Sequence, residues 1–329
     1  MVSQKEIADA TGVSIMTVSR ALRNHPDLAP ATREMILRKA AELGYVSPTA
    51  NDPRRNQTQR IGVLVYELGS DGTNRLNEGV PRRIFSAIQK ECKQRGVEVL
   101  IEALQPSEVP LLVRNKTVDR AFLFGRYTPE TLQRLNGLPV MAVSSYIECK
   151  GLPRIIADNE GGIREATEHL IQLGHRRIVF LGVDENEFTE IFHSRETGYL
   201  ATMCRHGLTP ISRIVRRTDG ATDLAPIIKA LAKATAVVCA TDFLAFMLDF
   251  ELRRLGWDLP RRCSITGFDN VERETGNHLT SYSPDWSLMG TMAAKFLLDH
   301  LEDIRGENIR MVVPGELVVR DSTAAPLQA

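Results

Sequence analysis

Gly12 stands between two short stretches whose apolar positions recur with helical spacing, and so short a connection leaves them one way to pack, as a helix pair. In the first stretch Ile7, Ala8 and Thr11 share a face, and Ser3 followed by Glu6 has the spacing of a capping box, which predicts a helix start. Gly12 supplies the backbone freedom for the turn, and Val13 plugs the gap between the helices. Ser14 is placed to cap a second helix over 15–22. Val18, Ala21 and Leu22 then face inward, and Ile15, Met16, Thr17, Ser19, Arg20 and Arg23 outward. Two helices around a glycine turn, the second with a polar and cationic outer face, make a helix-turn-helix. Its second helix has the width of a DNA major groove.

A third helix is expected over 31–43. Pro30 suits a first helical turn, Ile36, Leu37, Ala40 and Leu43 form an apolar stripe, and Gly44 is placed to end it. Beyond Tyr45 the chain turns polar and proline-interrupted, SPTANDPRRNQTQR over 47–60, which reads as a linker. Charge divides at this point. The whole chain balances 41 Lys+Arg against 41 Asp+Glu, but residues 1–60 hold nine Lys/Arg to six Asp/Glu and the remainder 32 to 35. The modest cationic excess sits on the part that would meet phosphate.

From residue 61 the period changes. Apolar runs at 61–66, 97–103, 121–124, 140–143 and 155–157 read as buried parallel strands, and a second set follows at 178–182, 214–216, 236–240 and 264–268. Amphipathic helices are expected over 80–94, 162–173, 195–206, 224–232 and 244–255. Strands and helices alternating in two tandem sets imply two doubly wound lobes, with ligands beyond the carboxyl ends of the strands. A chain of 329 residues predicts about two or three domains. With 43 % hydrophobic and 25 % charged residues and no run of about 18 apolar residues, it reads as a soluble cytoplasmic protein without membrane contact.

Five scattered cysteines (Cys92, Cys149, Cys204, Cys239, Cys263), without CxxC spacing, argue for reduced thiols and against disulfides or a zinc site. No metal or cofactor is expected. The GxSxG, HExxH and GxxxxGK[ST] motifs are absent, and Gly69, Gly72 and Gly79 lack dinucleotide-binding spacing, so no catalytic residue is singled out and an enzyme is disfavoured. A pure solute-binding module would bring a signal peptide and no headpiece.

The run IADATGVSIMTVSRAL at 7–22, with TR at 32–33 and AELGY at 41–45, resembles the headpiece of the lactose/galactose repressor (LacI/GalR) family. DNEGG at 158–162, HLIQLGHRRI at 169–178, RETGY at 195–199, ATD at 240–242, SITGFDN at 264–270 and PGELVVRDS at 314–322 extend the resemblance through the body. It implies an all-α helix-turn-helix headpiece at 1–46, a hinge or linker at 47–60, and an α/β core at 61–329 like a periplasmic sugar-binding protein. That core would have two doubly wound parallel-sheet subdomains, the first about 61–157 plus 285–309 and the second about 158–284 plus 310–329.

For DNA, the resemblance implies base contacts from Ile15, Met16 and Arg20, phosphate contacts from Ser14, Thr17, Arg23 and Thr32, and further contacts from Ser19 and Tyr45. Two departures stand out. Ala29 replaces the family's Ser/Thr cap, and Pro53 stands where a hinge helix should run. Arg54 and Arg55 replace the family's apolar wedge, either to follow phosphates and a narrowed minor groove or as part of a solvated tether.

For an effector, the resemblance points to Arg195, expected just before a helix, where its guanidinium fork suits hydroxyls or a carboxylate. Asp269 and Asp242 end two strands and would either accept sugar hydroxyls or cap helices. Asp158 reads as a cap or hinge residue. On the first lobe Asn74, Arg75 and Arg126 (beside Tyr127) are candidates, and Trp286, at a lobe crossover, would stack on a sugar or pack as a hinge aromatic. Thr189 replaces an arginine of purine-repressor-like relatives, which disfavours a purine. The expected protein is a homodimeric repressor on a palindromic double-stranded operator, switched by a sugar or sugar derivative; a non-sugar metabolite or a protein co-regulator is the alternative. No heptad-bearing tail follows Ser322, which disfavours a coiled-coil tetramer.

Overall fold

The computed structural model describes residues 2–22, 28–45, 59–66, 76, 79–135, 137–144, 147, 149–184, 190–218, 221–222, 224–271, 276–300 and 308–327. Three helices form the headpiece: α1 (Gln4–Thr11), α2 (Ile15–Leu22) and α3 (Pro30–Glu42). The capping box is present, with the Ser3 hydroxyl accepting from the Glu6 amide and the Ser3 amide donating to the Glu6 carboxylate at 2.7 Å. Gly12 ends α1 at φ 69°, a left-handed conformation open to glycine without cost, and its amide donates to the Ala8 carbonyl. Ile7, Ala8, Val18, Ala21, Ile36 and Ala40 form the headpiece core. Ala29 gives α3 no side-chain cap. The expected α3 stripe is corrected at Leu37, which is exposed, while Met35 packs on the core.

The body begins with β1 (Arg60–Tyr66), α4 (Gly79–Gln94), β2 (Glu98–Leu104), α5 (Leu111–Arg114), β3 (Arg120–Gly125), α6 (Pro129–Gln133), β4 (Val140–Val143) and β5 (Arg154–Ala157). The chain then builds α7 (Asn159–Gln172), β6 (Ile178–Asp184), α8 (Glu190–Arg205), β7 (Ile211–Thr218), β8 (Ala221–Thr222), α9 (Ala225–Ala230), β9 (Ala236–Cys239), α10 (Asp242–Arg254), β10 (Ser264–Phe268) and β11 (Thr280–Pro284). It closes with α11 (Trp286–Asp299), β12 (Arg310–Val313) and β13 (Gly315–Val318).

The first lobe is a six-stranded sheet ordered β12-β5-β4-β3-β1-β2, parallel throughout, and the second a seven-stranded sheet ordered β13-β11-β10-β9-β6-β7-β8. Burial on both faces explains why the central strands read as unbroken apolar runs, as in β1, where Ile61 to Tyr66 are all buried. At the edges of the second sheet β8 and β13 run antiparallel to their neighbours. The expected subdomain boundary at 309 is corrected by pairing: β12 lies beside β5 in the first sheet, so the chain returns to the second lobe at Pro314. Among the described residues no helix is long and apolar enough to cross a membrane.

The crossings share a device. Asp158 (φ −72°, ψ 81°) and Asp285 (φ −76°, ψ 82°) each follow a strand and cap the helix that opens the other lobe, accepting from the amides of Gly161 and Leu288. The third crossing ties them together, since the Asp158 amide donates to the Val313 carbonyl at 2.9 Å and the Asp285 amide to that of Pro314 at 3.0 Å. Each crossing leaves a strand at its carboxyl end, so those ends of both sheets face the lobe boundary. On the first lobe α11 packs along α4, and a Cβ at Gly290 would overlap the Ile84 carbonyl.

Candidate functional site

The outer face of α2 carries the DNA candidates. Ser14 precedes α2 and caps it, its Oγ accepting from the Thr17 amide at 3.1 Å and lying 2.8 Å from the Thr17 hydroxyl. Met16, 48 % exposed, and Arg20 project from the helix, because the inward positions are filled by Val18 and Ala21. Ile15 is half-buried and packs on the headpiece core. Ser19 is a correction: it is buried beside Val18, with its hydroxyl unpartnered, and cannot reach a groove. Thr32 is half-buried in the first turn of α3, and the Tyr45 hydroxyl accepts from Gln4 Nε2 at 3.2 Å. Arg23, Pro53, Arg54 and Arg55 lie outside the described residues, as do Asn74, Arg75 and Thr189.

At the lobe boundary, the carboxyl ends of β9 and β10 hold the second constellation. Arg195 lies inside α8 rather than before it, since the helix begins at Glu190. Its guanidinium is buried and multiply held: Nε donates to Asn159 Oδ1 at 2.9 Å, Nη1 to the Ala240 carbonyl at 2.5 Å and Nη2 to Asp269 Oδ1 at 3.3 Å, and it stacks 3.6 Å over the Phe268 ring. Asp269, its side chain 20 % exposed, is the reachable partner of this ion pair. Burial pushes its carboxyl up to about 6 against the opposing pull of Arg195.

Asp242 is a correction on both readings. It is fully buried, Thr241 caps α10 in its place, and its oxygens accept from Ser281 Oγ at 2.6 Å and the Val271 amide at 2.7 Å. Burial and the neighbouring Asp269 charge raise it to about 7, against those two bonds and the Arg195 charge. It therefore supports the turn after β10 from beneath instead of facing a ligand. Trp286 is also corrected as a stacking surface: it is 2 % exposed, and its Nε1 donates to the Asp269 carbonyl at 3.0 Å. Arg126 is half-buried at the end of β3, its amide donating to the Tyr66 carbonyl at 2.7 Å.

Asn159, Phe268 and Arg320 complete the constellation and were not singled out from sequence. The first two orient Arg195, while Arg320 Nη2 donates to Asn270 Oδ1 at 2.8 Å. Their signal was present in the DNEGG, SITGFDN and PGELVVRDS runs, but nothing in an isolated run says which member points at an arginine.

Residues 3–47 match the model of bacterial regulatory proteins of the lacI family, and residues 167–323 that of a periplasmic binding protein-like domain. The transcriptional regulator GntR of Escherichia coli is 31 % identical over 323 residues, spanning 93 % of this chain and 92 % of that protein. The chain belongs to the lacI family. Another relative, the transcriptional repressor CytR of Escherichia coli, is 26 % identical over 339 residues, covering 98 % of this chain and 96 % of its own. This lacI-family chain also shares its fold with a solved complex of the regulator CelR with cellobiose (TM-score 0.68, 23 % identity, 98 % of this chain and 100 % of that one). A lac repressor dimer bound to operator and an anti-inducer is similarly alike (TM-score 0.64, 23 % identity, 98 % and 99 %). Members of the lacI family are DNA-binding regulators.

Proposed function

We propose that this protein is a sequence-specific transcriptional repressor without enzymatic activity, acting in the cytoplasm as a homodimer on a palindromic operator and released or retained by a small polyhydroxylated effector at the lobe boundary. The observation that carries the DNA half is the exposed Met16–Arg20 face on a helix whose inward side is fully used by the headpiece core. Arg20 suits a guanine edge and Met16 a thymine methyl, with Ser14 and Thr17 at phosphates. The effector half is supported by Asp269, a carboxylate aimed by Arg195 and able to accept paired hydroxyls. Dimerisation is supported by apolar surface on α10, where Phe243 and Phe250 are exposed beside Phe246 and Met247, and by the edge strand β2 with exposed Ile101.

Selection of bound sequences from random duplex DNA tests the reading. The native chain should enrich a two-fold symmetric site, and Arg20→Ala should bind DNA with the same salt sensitivity but lose that preference; unchanged preference overturns the Arg20 role. A thermal-shift panel of sugars, sugar phosphates, uronic acids and nucleosides then tests the effector. A ligand at 100 times its Kd adds about 2.7 kcal/mol of stability, and Asp269→Asn should abolish the shift.

A further inference from the structure

The turn after β10 is held in a conformation that side-chain-bearing residues rarely adopt. Asp269 has φ 112° and Asn270 φ 49°, strain that surrounding groups must offset. The second lobe supplies most of those groups. The Asp269 amide donates to the Tyr282 carbonyl at 2.9 Å, the Asn270 amide to Ser281 Oγ at 3.0 Å, the Val271 amide to Asp242 at 2.7 Å, and Arg320 to the Asn270 side chain. The Asp269 carbonyl, however, accepts from the indole of Trp286, the first residue of α11. That helix belongs to the first lobe. Four residues on, Gly290 brings the α11 backbone against Ile84 of α4 so closely that no side chain fits between.

We propose that Trp286 is a positioning residue that carries the state of the Asp269 turn into the first lobe, through its indole N–H and the α11–α4 contact. Asp269 offers its side chain to the lobe boundary and its carbonyl to Trp286, so whatever moves the first moves the acceptor of the second. Leaving a buried indole N–H without its acceptor is costly, which favours α11 following the turn over the bond breaking. Because α11 and α4 meet backbone to backbone, a shift of one is passed to the other. The regulatory meaning of this link rests on the effector reading above; the link itself requires neither ligand nor DNA. A separate bridge between the lobes, Arg154 Nη1 to Glu190 Oε1 at 2.6 Å, joins β5 to the start of α8 without involving the turn.

Amide hydrogen exchange on the full chain tests the proposal. Asn270→Gly relaxes the turn without altering Asp269 or Trp286. In the native background it should change exchange about fivefold or more at 269–271 and also at 289–293 of α11 and 84–88 of α4. In Trp286→Phe, the same substitution should still affect 269–271 but leave the first-lobe amides within about twofold. An equal first-lobe response with and without the indole N–H overturns the proposal and gives the coupling to the Arg154–Glu190 bridge or the crossings. Absence of any first-lobe response in the native background overturns it as well. Should Trp286→Phe loosen α11 by itself, benzothienylalanine at position 286, which keeps the ring shape and lacks only the donor, serves for the same comparison. With no ligand in the experiment, its failure reads separately from an empty effector panel.

Discussion

Asp242 and Asp269 lie beneath and within the same turn and face opposite demands. Asp269 is partly reachable and paired with Arg195, whereas Asp242 is sealed in and satisfied by Ser281 and Val271. Burial raises Asp242 to about 7, so the folded chain keeps a proton there that the unfolded chain releases near 3.8. Between those values the native state binds more protons, and stability falls as pH rises through the window. The melting temperature of the native chain should therefore drop between about pH 5 and pH 7 relative to Asp242→Asn, by about 4 °C in a chain of this size. Parallel melting curves across that range would mean that Asp242 is ionised throughout. Which carboxylate stays partly exposed is not legible from sequence, because both follow strands with the same local pattern; the difference is made by Ser281 and Val271, distant in the chain from Asp242. Ser19 has the same lesson in a helix, since its polarity suggested the outer face while its position beside Val18 put it in the core.

Among the elements, those built on local signals were readable and those defined by pairing were not. The Ser3–Glu6 box, the Gly12 turn and the runs of β1, β4 and β10 are specified within a few residues. By contrast β11, with Ser281 and Ser283 among its residues, carries little apolar signal of its own and becomes a strand by pairing with β10, while the short apolar run of β12 does not show that its partner is β5 of the first sheet. Trp286 looked available for a ligand because the crossover was visible and the acceptor for its indole was not. The α11–α4 pair depends on a single missing side chain. Gly290→Ala would drive a methyl into the Ile84 carbonyl and the Ala87 side chain; it should lower stability by about 1–3 kcal/mol in denaturant titrations despite the better helix propensity of alanine. An unchanged midpoint would show that the two helices separate without penalty.

For the molecule as a whole, assembly and crossing topology set the terms. If α10 is where two copies meet, Phe250, 70 % exposed in the single chain, is buried in the dimer. Phe250→Glu should then shift sedimentation toward the monomer and weaken operator binding by about tenfold or more, about 1.4 kcal/mol, while the thermal response to any effector persists. A dimer that survives the charge places the interface elsewhere. The three crossings also bear on how the chain is made. Emerging from the ribosome amino end first, it delivers β1 to β5 early, yet the place beside β5 stays empty until β12 arrives, more than 150 residues later. Throughout that interval a buried strand of the finished protein is an open edge able to pair with a neighbouring nascent chain. The lobe begun first is completed only after strands β6 to β11 of the other have been made, so slow translation of that stretch exposes this regulator to aggregation in a way that a lobe built from one continuous segment would escape.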